Sequence, residues 1–239
     1  MCWKLWIKKN GYIIAAIILC SYLYGRRTFG MLDYIYCGVS FQDFSIFYML
    51  YFSSMVLFAI SFFRDFCTYI EKEVVYSIIR NKNRTKIYMN LELHIIKKLF
   101  VFEICKIIGI VITTYLSFGK VYIENMEVLV HSIFIYILLE WLLINIMMYI
   151  ELFYGPQQGV LFVCFYFILS ISIGDVLSQM KNIPDLVYYL LLPNVAMYNR
   201  IDQLMISPYT VMVLELLIGM IIIFMGIKKM QRKDILWEK

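Results

Sequence analysis

Four ionisable side chains stand inside stretches that are otherwise apolar: Glu103, Lys106, Glu140 and Glu215. A charge left in hydrocarbon costs at least ~2.5 kcal/mol, so residues of this kind pair with one another, give up their charge, or line a polar path. Glu103 and Lys106 are three apart, neighbours on a helix, and read either as a self-neutralising pair or as a gate or coupling contact. Glu140 lies about 18 Å along a helix from Val128, close to mid-membrane. Glu151 follows eleven residues later and returns to within roughly 20° of the same face. Glu215 shares a stripe with Gly219 and Gly226, fit for a close helix contact or a polar cavity wall. These carboxyl groups are either protonated or bonded to a neighbour such as Asn145, or Glu140 and Glu215 line a path for a cationic substrate or for protons.

Other chemistry finds less support. His94 and His131 are the only histidines and fall on opposite predicted sides of the membrane, so they do not make a metal site, and no metal ligand is expected. Glu71 and Glu73 resemble half of a diglutamate protease motif, but they lie outside the hydrocarbon and have no histidine on a later span. No Gly-x-x-x-x-Gly-Lys-Ser/Thr phosphate loop occurs. The chain is therefore not expected to be an enzyme or to carry catalytic residues, and any ATP hydrolysis belongs to another polypeptide.

The elements that must position these residues are set by composition. Hydrophobic residues make up 62% of the 239 positions, charged residues only 16%, and mean hydropathy is +0.76, which excludes an ordinary soluble domain. Six apolar segments, 11–25, 44–63, 99–119, 128–151, 159–174 and 209–227, reach or approach the ~20 residues that cross a bilayer as a helix. The expectation is a single all-α integral membrane domain over 1–239 with six transmembrane helices. Lysine and arginine concentrate at the N-terminus (Lys4, Lys8, Lys9), in 64–98 and in the C-terminal tail, 16 of the 22 in all. The positive-inside rule then makes both termini and 64–98 cytoplasmic. Residues 1–10, with Trp3 and Trp6 beside the lysines, read either as an interfacial helix or as a charged flank to a retained first span. The six cysteines form no Cys-x-x-Cys pair, so neither a disulfide framework nor a zinc signature is expected.

Three connections matter. Between spans four and five, "YGPQQG" at 154–159 predicts a turn too tight for anything substantial to dock. Between spans five and six, 175–208 is too apolar for an exposed loop. Pro184 and Pro193 bracket Asp185 to Leu192, predicting a short helix or half-helices dipping into the outer leaflet, or a loop packed over the bundle mouth. Between spans two and three, 64–98 is the most polar part of the chain. Phe66, Ile70, Val74 and Ile78 recur near helical spacing, Asn81 to Asn83 break the run, and a second helix begins near Thr85 and runs into the third span. The prediction is a cytoplasmic helical hairpin with a basic tip, far longer than the usual 2–8-residue connection, with a surface to bury on anionic lipid or on a protein.

Together, the six spans, cytoplasmic ends, N-terminal interfacial helix, large second loop and apolar outer segment resemble the permease subunits of ABC-2-type transporters over essentially the whole chain, by architecture more than by strict motif. The resemblance implies a homodimer or a heterodimer with a related permease in a bacterial plasma membrane, each copy touching a separate cytoplasmic P-loop ATPase that uses ATP and Mg. It further implies that this chain itself holds no cofactor. In that family the loop carries an acidic residue, an apolar stretch and then basic residues. The counterparts are Glu71 or Glu73, then Val74 to Ile79, then Arg80, Arg84 and Lys86. The implied activity is export of a hydrophobic or amphipathic substrate, such as a peptide. The rival expectation is a non-transporting scaffold or sensor whose basic hairpin binds lipid or a regulator. Nucleic acid is not an expected partner.

Overall fold

An apolar run can satisfy its own backbone in lipid only as a helix, and the long runs fold that way. The structure, a computed structural model, describes residues 11–16, 18–20, 22–23, 36–41, 55–63, 65–69, 84–180 and 184–232. Among these residues helix dominates and there is no strand. The elements are α1 (Asp65–Tyr69), α2 (Arg84–Phe118), α3 (Met126–Tyr154), α4 (Pro156–Ser178), α5 (Asp185–Tyr189), α6 (Leu192–Val195), α7 (Tyr198–Gln203) and α8 (Pro208–Arg232). Helical residues 55–61 and a shorter apolar helical segment, Gly11–Cys20, precede them.

Each long helix starts and stops for a local reason. The side chain of Asn125 accepts the N–H groups of Glu127 and Val128, capping α3. The helix ends at Gly155, whose φ of 125° excludes a side chain, and Pro156 then opens α4 at a position where its missing N–H costs nothing. α2 stops at Gly119, at φ 70°, with its N–H returned to the Tyr115 carbonyl at 2.8 Å.

Three helices, α3, α4 and Pro208–Gln231 of α8, are long and apolar enough to cross a membrane. They extend the predicted spans four, five and six by a few residues at one or both ends. The third predicted span is the C-terminal part of α2, which continues without a break from Arg84 and so carries the second arm of the expected hairpin. Gly11–Cys20 is shorter than a full span, and the second predicted span is described only from residue 55. The expected interfacial helix at 1–10, most of the hairpin's first arm, with Glu71, Glu73 and Arg80, and its tip at 81–83 lie outside the described residues.

Side-chain orientation is that of a protein in lipid. On α2, Phe100, Ile104, Ile108, Ile112 and Leu116 form an exposed file four residues apart, while Glu103 and Lys106 point inward and are buried. On α8, Val213, Leu217, Met220, Ile221 and Phe224 face outward while Glu215 is buried. Water would select the reverse arrangement; apolar surroundings select this one.

α3 is the central helix, with its most extensive contacts to α8 and α4. Glycines set the closest approaches. A Cβ at Gly219 of α8 would collide with the Trp141 ring of α3, and one at Gly226 with the Tyr88 ring of α2. Of the two expectations for the Glu215–Gly219–Gly226 stripe, a close helix contact is therefore what forms at the two glycines. Likewise, Gly109 of α2 receives Ile18, and Ser117 donates to Tyr22 Oη at 2.8 Å, so α2 packs on the first apolar segment at these two positions.

Between Pro184 and Pro193 one short helix, α5, forms, and α6 and α7 follow it within 192–203. Leu192 to Met197 are buried, and Pro193 sits inside the first turn of α6 instead of ending a helix. Asn194 bonds to Ser170 and lies against Gly174, one to two turns inward from the end of α4 at Ser178.

Candidate functional site

Lys106 is the centre of a buried cluster. Its ammonium pairs with Glu103 one turn earlier on α2 and lies 3.5 Å from Glu140 Oε1 on α3. All three side chains are almost fully buried, and Glu140 Oε2 has no hydrogen-bond partner among the described residues. Aromatic rings close the remaining sides: the ammonium is 4.3 Å from the Tyr136 ring centroid, 5.5 Å from Tyr36 and 5.9 Å from Phe102. The Tyr36 hydroxyl is also buried without a partner there. Two carboxyl groups thus share one cation in a dry, ring-lined site.

The register of α3 builds one side of this site. Val128, Ser132, Tyr136 and Glu140 are four apart, so they form a file that winds slowly round the helix. Ser132 sits 3.5 Å from Cys37 Sγ and donates to the Val128 carbonyl at 2.7 Å. Above it, Cys37, Glu124, Asn125, Val128, Tyr198, Asn199 and Asp202 line a cleft of about 330 Å³. Segment 36–41 is held in place by α7: Asn199 N donates to the Cys37 carbonyl at 3.0 Å, Asn199 Nδ2 to Gly38 at 2.9 Å and Arg200 Nε to Val39 at 2.9 Å.

The other buried carboxylates go elsewhere. Glu140 does not bond Asn145, its expected neighbour; Asn145 instead donates to Glu92 of α2 at 3.1 Å, joined there by Trp141 Nε1 at 2.7 Å. Glu151, on the predicted acidic face, accepts the Cys67 N–H at 3.0 Å in the first turn of α1. Glu215 is fully buried, and neither oxygen has a hydrogen-bond partner among the described residues. Glu103, Lys106 and Glu140 therefore come together, while Glu215 stands apart.

Of the basic residues expected at the hairpin, Arg84 turns inward. Its Nη1 donates to the Gln231 carbonyl at 3.0 Å and reaches that of Met230 at 3.5 Å, and Gln231 Nε2 donates to Thr85 Oγ1 at 2.9 Å. A cation on the orphan carbonyls of a helix end is favourable both as a hydrogen bond and against the helix dipole. The same end of α8 is held a second time, by Lys229 against the rings of Tyr149, Phe153 and Tyr154, between 4.4 and 5.0 Å from their centroids. Lys86 stands exposed one residue beyond Thr85. The turn at 154–159, expected to leave no room, borders a cleft of about 370 Å³ with Phe63.

Two features escaped the sequence. Glu92 reads as an ordinary charge on a hairpin helix, and Arg200 as an ordinary loop cation. Arg200 is instead fully buried, bonded to Val39, Asn194 and Asp175, and stacked 4.5 Å from the Phe41 ring centroid. Its one sequence signal is an arginine within an apolar segment.

No curated protein and no solved structure matches the chain. One family model does, over residues 6–236, nearly the full length. The chain belongs to that family, described as proteins of unknown function (DUF2705).

Proposed function

We propose that this chain is the permease subunit of an ABC-2-type exporter, six-spanned over the segments given above, with both termini cytoplasmic in a bacterial plasma membrane. A separate ATPase would supply the energy, and a second permease copy would complete the pathway for a hydrophobic or amphipathic substrate. The observation that carries this reading is the latch between Arg84 and Thr85 at the base of the polar hairpin and the last turn of α8. A loop that takes a mechanical input must hand it to the spans. Here its second arm is continuous with α2, and its base is bonded to the end of α8, so movement of 64–98 reaches two helices at once. Glu71 and Glu73 of the first arm, with Arg80 and Lys86, would meet the ATPase, and Arg84 would pass the movement on. The buried helices at 192–203, packed one to two turns inside the end of α4, would be the re-entrant outer segment.

Mild-detergent purification from native membranes, followed by mass spectrometry, tests this. A stoichiometric P-loop ATPase that is lost in the E71Q/E73Q variant, while membrane insertion is retained, is the expected result. Recovery of lipid alone, or of a partner without a P-loop, would favour the scaffold function instead.

A further inference from the structure

We propose that Glu103, Lys106 and Glu140 form a proton-binding site reached from the cleft at Cys37, Glu124 and Asp202. The inference needs only that α2 and α3 lie in a membrane and does not depend on the permease reading.

Charge stoichiometry comes first. With both carboxyl groups ionised, the cluster, counted over the described residues, carries one more negative than positive charge, almost fully buried among rings. Hydrocarbon surroundings do not tolerate that charge, and one proton on either carboxyl removes it. The two acids share a single ammonium, so one proton held between them balances the cluster. Among the described residues, the ionisable groups facing this unit are Glu103 and Lys106 of α2, Tyr136 and Glu140 of α3, and Tyr36 of segment 36–41.

A proton fits better than a metal ion. Monovalent and divalent hard cations require a shell of several oxygens. Here the ammonium already occupies the space between the carboxyl groups, and the other neighbours are aromatic faces. The orphan Oε2 of Glu140 and the orphan hydroxyl of Tyr36 are positions where a proton can be held or passed.

Access follows the file on α3. From the cleft, Cys37 leads to Ser132 at 3.5 Å, and Tyr36 and Tyr136 beside them sit directly over Lys106. Glu124 and Asp202 at the mouth give the cleft an acidic lining, which concentrates protons.

The test is infrared difference spectroscopy of the full-length protein in liposomes, titrated from acid to alkaline buffer and exchanged into D2O. A protonated-carboxyl band should be present, should change in both E103Q and E140Q, and should exchange its proton several-fold more slowly in the E124Q/D202N variant. E215Q should remove only a separate component. If E140Q does not fold, E140D keeps the charge on a shorter arm and should displace the titration of the band. A band whose titration is the same in wild type, E103Q and E140Q or E140D overturns the site, and an exchange rate unaltered by E124Q/D202N overturns the route.

Discussion

Two buried cations organise this molecule, and they are treated differently. Arg200 has acceptors on three sides: the Val39 carbonyl, Asn194 and the Asp175 carboxylate. It fastens segment 36–41, α4 and the short helices at 192–203 together, and the Asp175 carboxylate answers its charge. Lys106 has two acids for one charge, and the second oxygen of each is left over among the described residues. A balanced cluster has one comfortable state, whereas an acid-rich one has a reason to change protonation. The first is a fastening, and the second is poised for exchange.

Substitution should separate the two clusters. R200M removes the bonds that the guanidinium makes to Asp175, Asn194 and the Val39 carbonyl and is expected to lower stability by about 3–5 kcal/mol, read as thermal unfolding in detergent. R200K should recover little, because the planar fork that reaches several acceptors is lost. K106M should cost about 3 kcal/mol for the same reason, but here adding E140Q should restore part of the loss, since it removes the acid in excess. Failure of that rescue would erase the distinction drawn between the clusters. G219A, which drives a methyl group into the Trp141 ring, should cost about 1–3 kcal/mol, an overpacking effect unrelated to charge. R84A should cost about 1 kcal/mol in unfolding, one charged hydrogen-bonding side chain at a partly exposed helix end, yet abolish coupling in a transport assay. The smallest effect belongs to E140Q alone: a stability change below about 1 kcal/mol, because a balanced Lys106–Glu103 pair remains.

Much of this was legible in the chain. The positions of α3, α4 and α8 follow from apolar runs bounded by Asn125, Gly155, Pro156 and Pro208, because helix length and helix caps are local properties. The Glu103–Lys106 pair was legible for the same reason, being three residues apart on one helix. Recruitment of Glu140 was not, because it depends on the register of α3 against α2, which the contacts of Gly219 with Trp141 and of Gly226 with Tyr88 help to set between elements far apart in the chain. Arg200 illustrates the same limit more sharply. Its partners are 161, 25 and 6 residues away, and no periodicity connects them. Asn145 was correctly read as a buried polar partner but for the wrong carboxylate, since Glu92 reaches it from a helix that composition alone places among solvated charges.

The unbroken length of α2 has a mechanical consequence. At 35 residues, it is a rod of about 52 Å, and Ile18 presses on it at Gly109, leaving one arm of about 37 Å toward Arg84 and another of about 14 Å toward Phe118. Were it to rock about that contact as a fulcrum, with the Ser117–Tyr22 bond released, a stroke of about 5 Å at the basic end would arrive as about 2 Å at the opposite end. Lys106 lies one turn from the fulcrum, where the rod turns but scarcely travels, so its carboxyl partners would feel a change of angle rather than of distance.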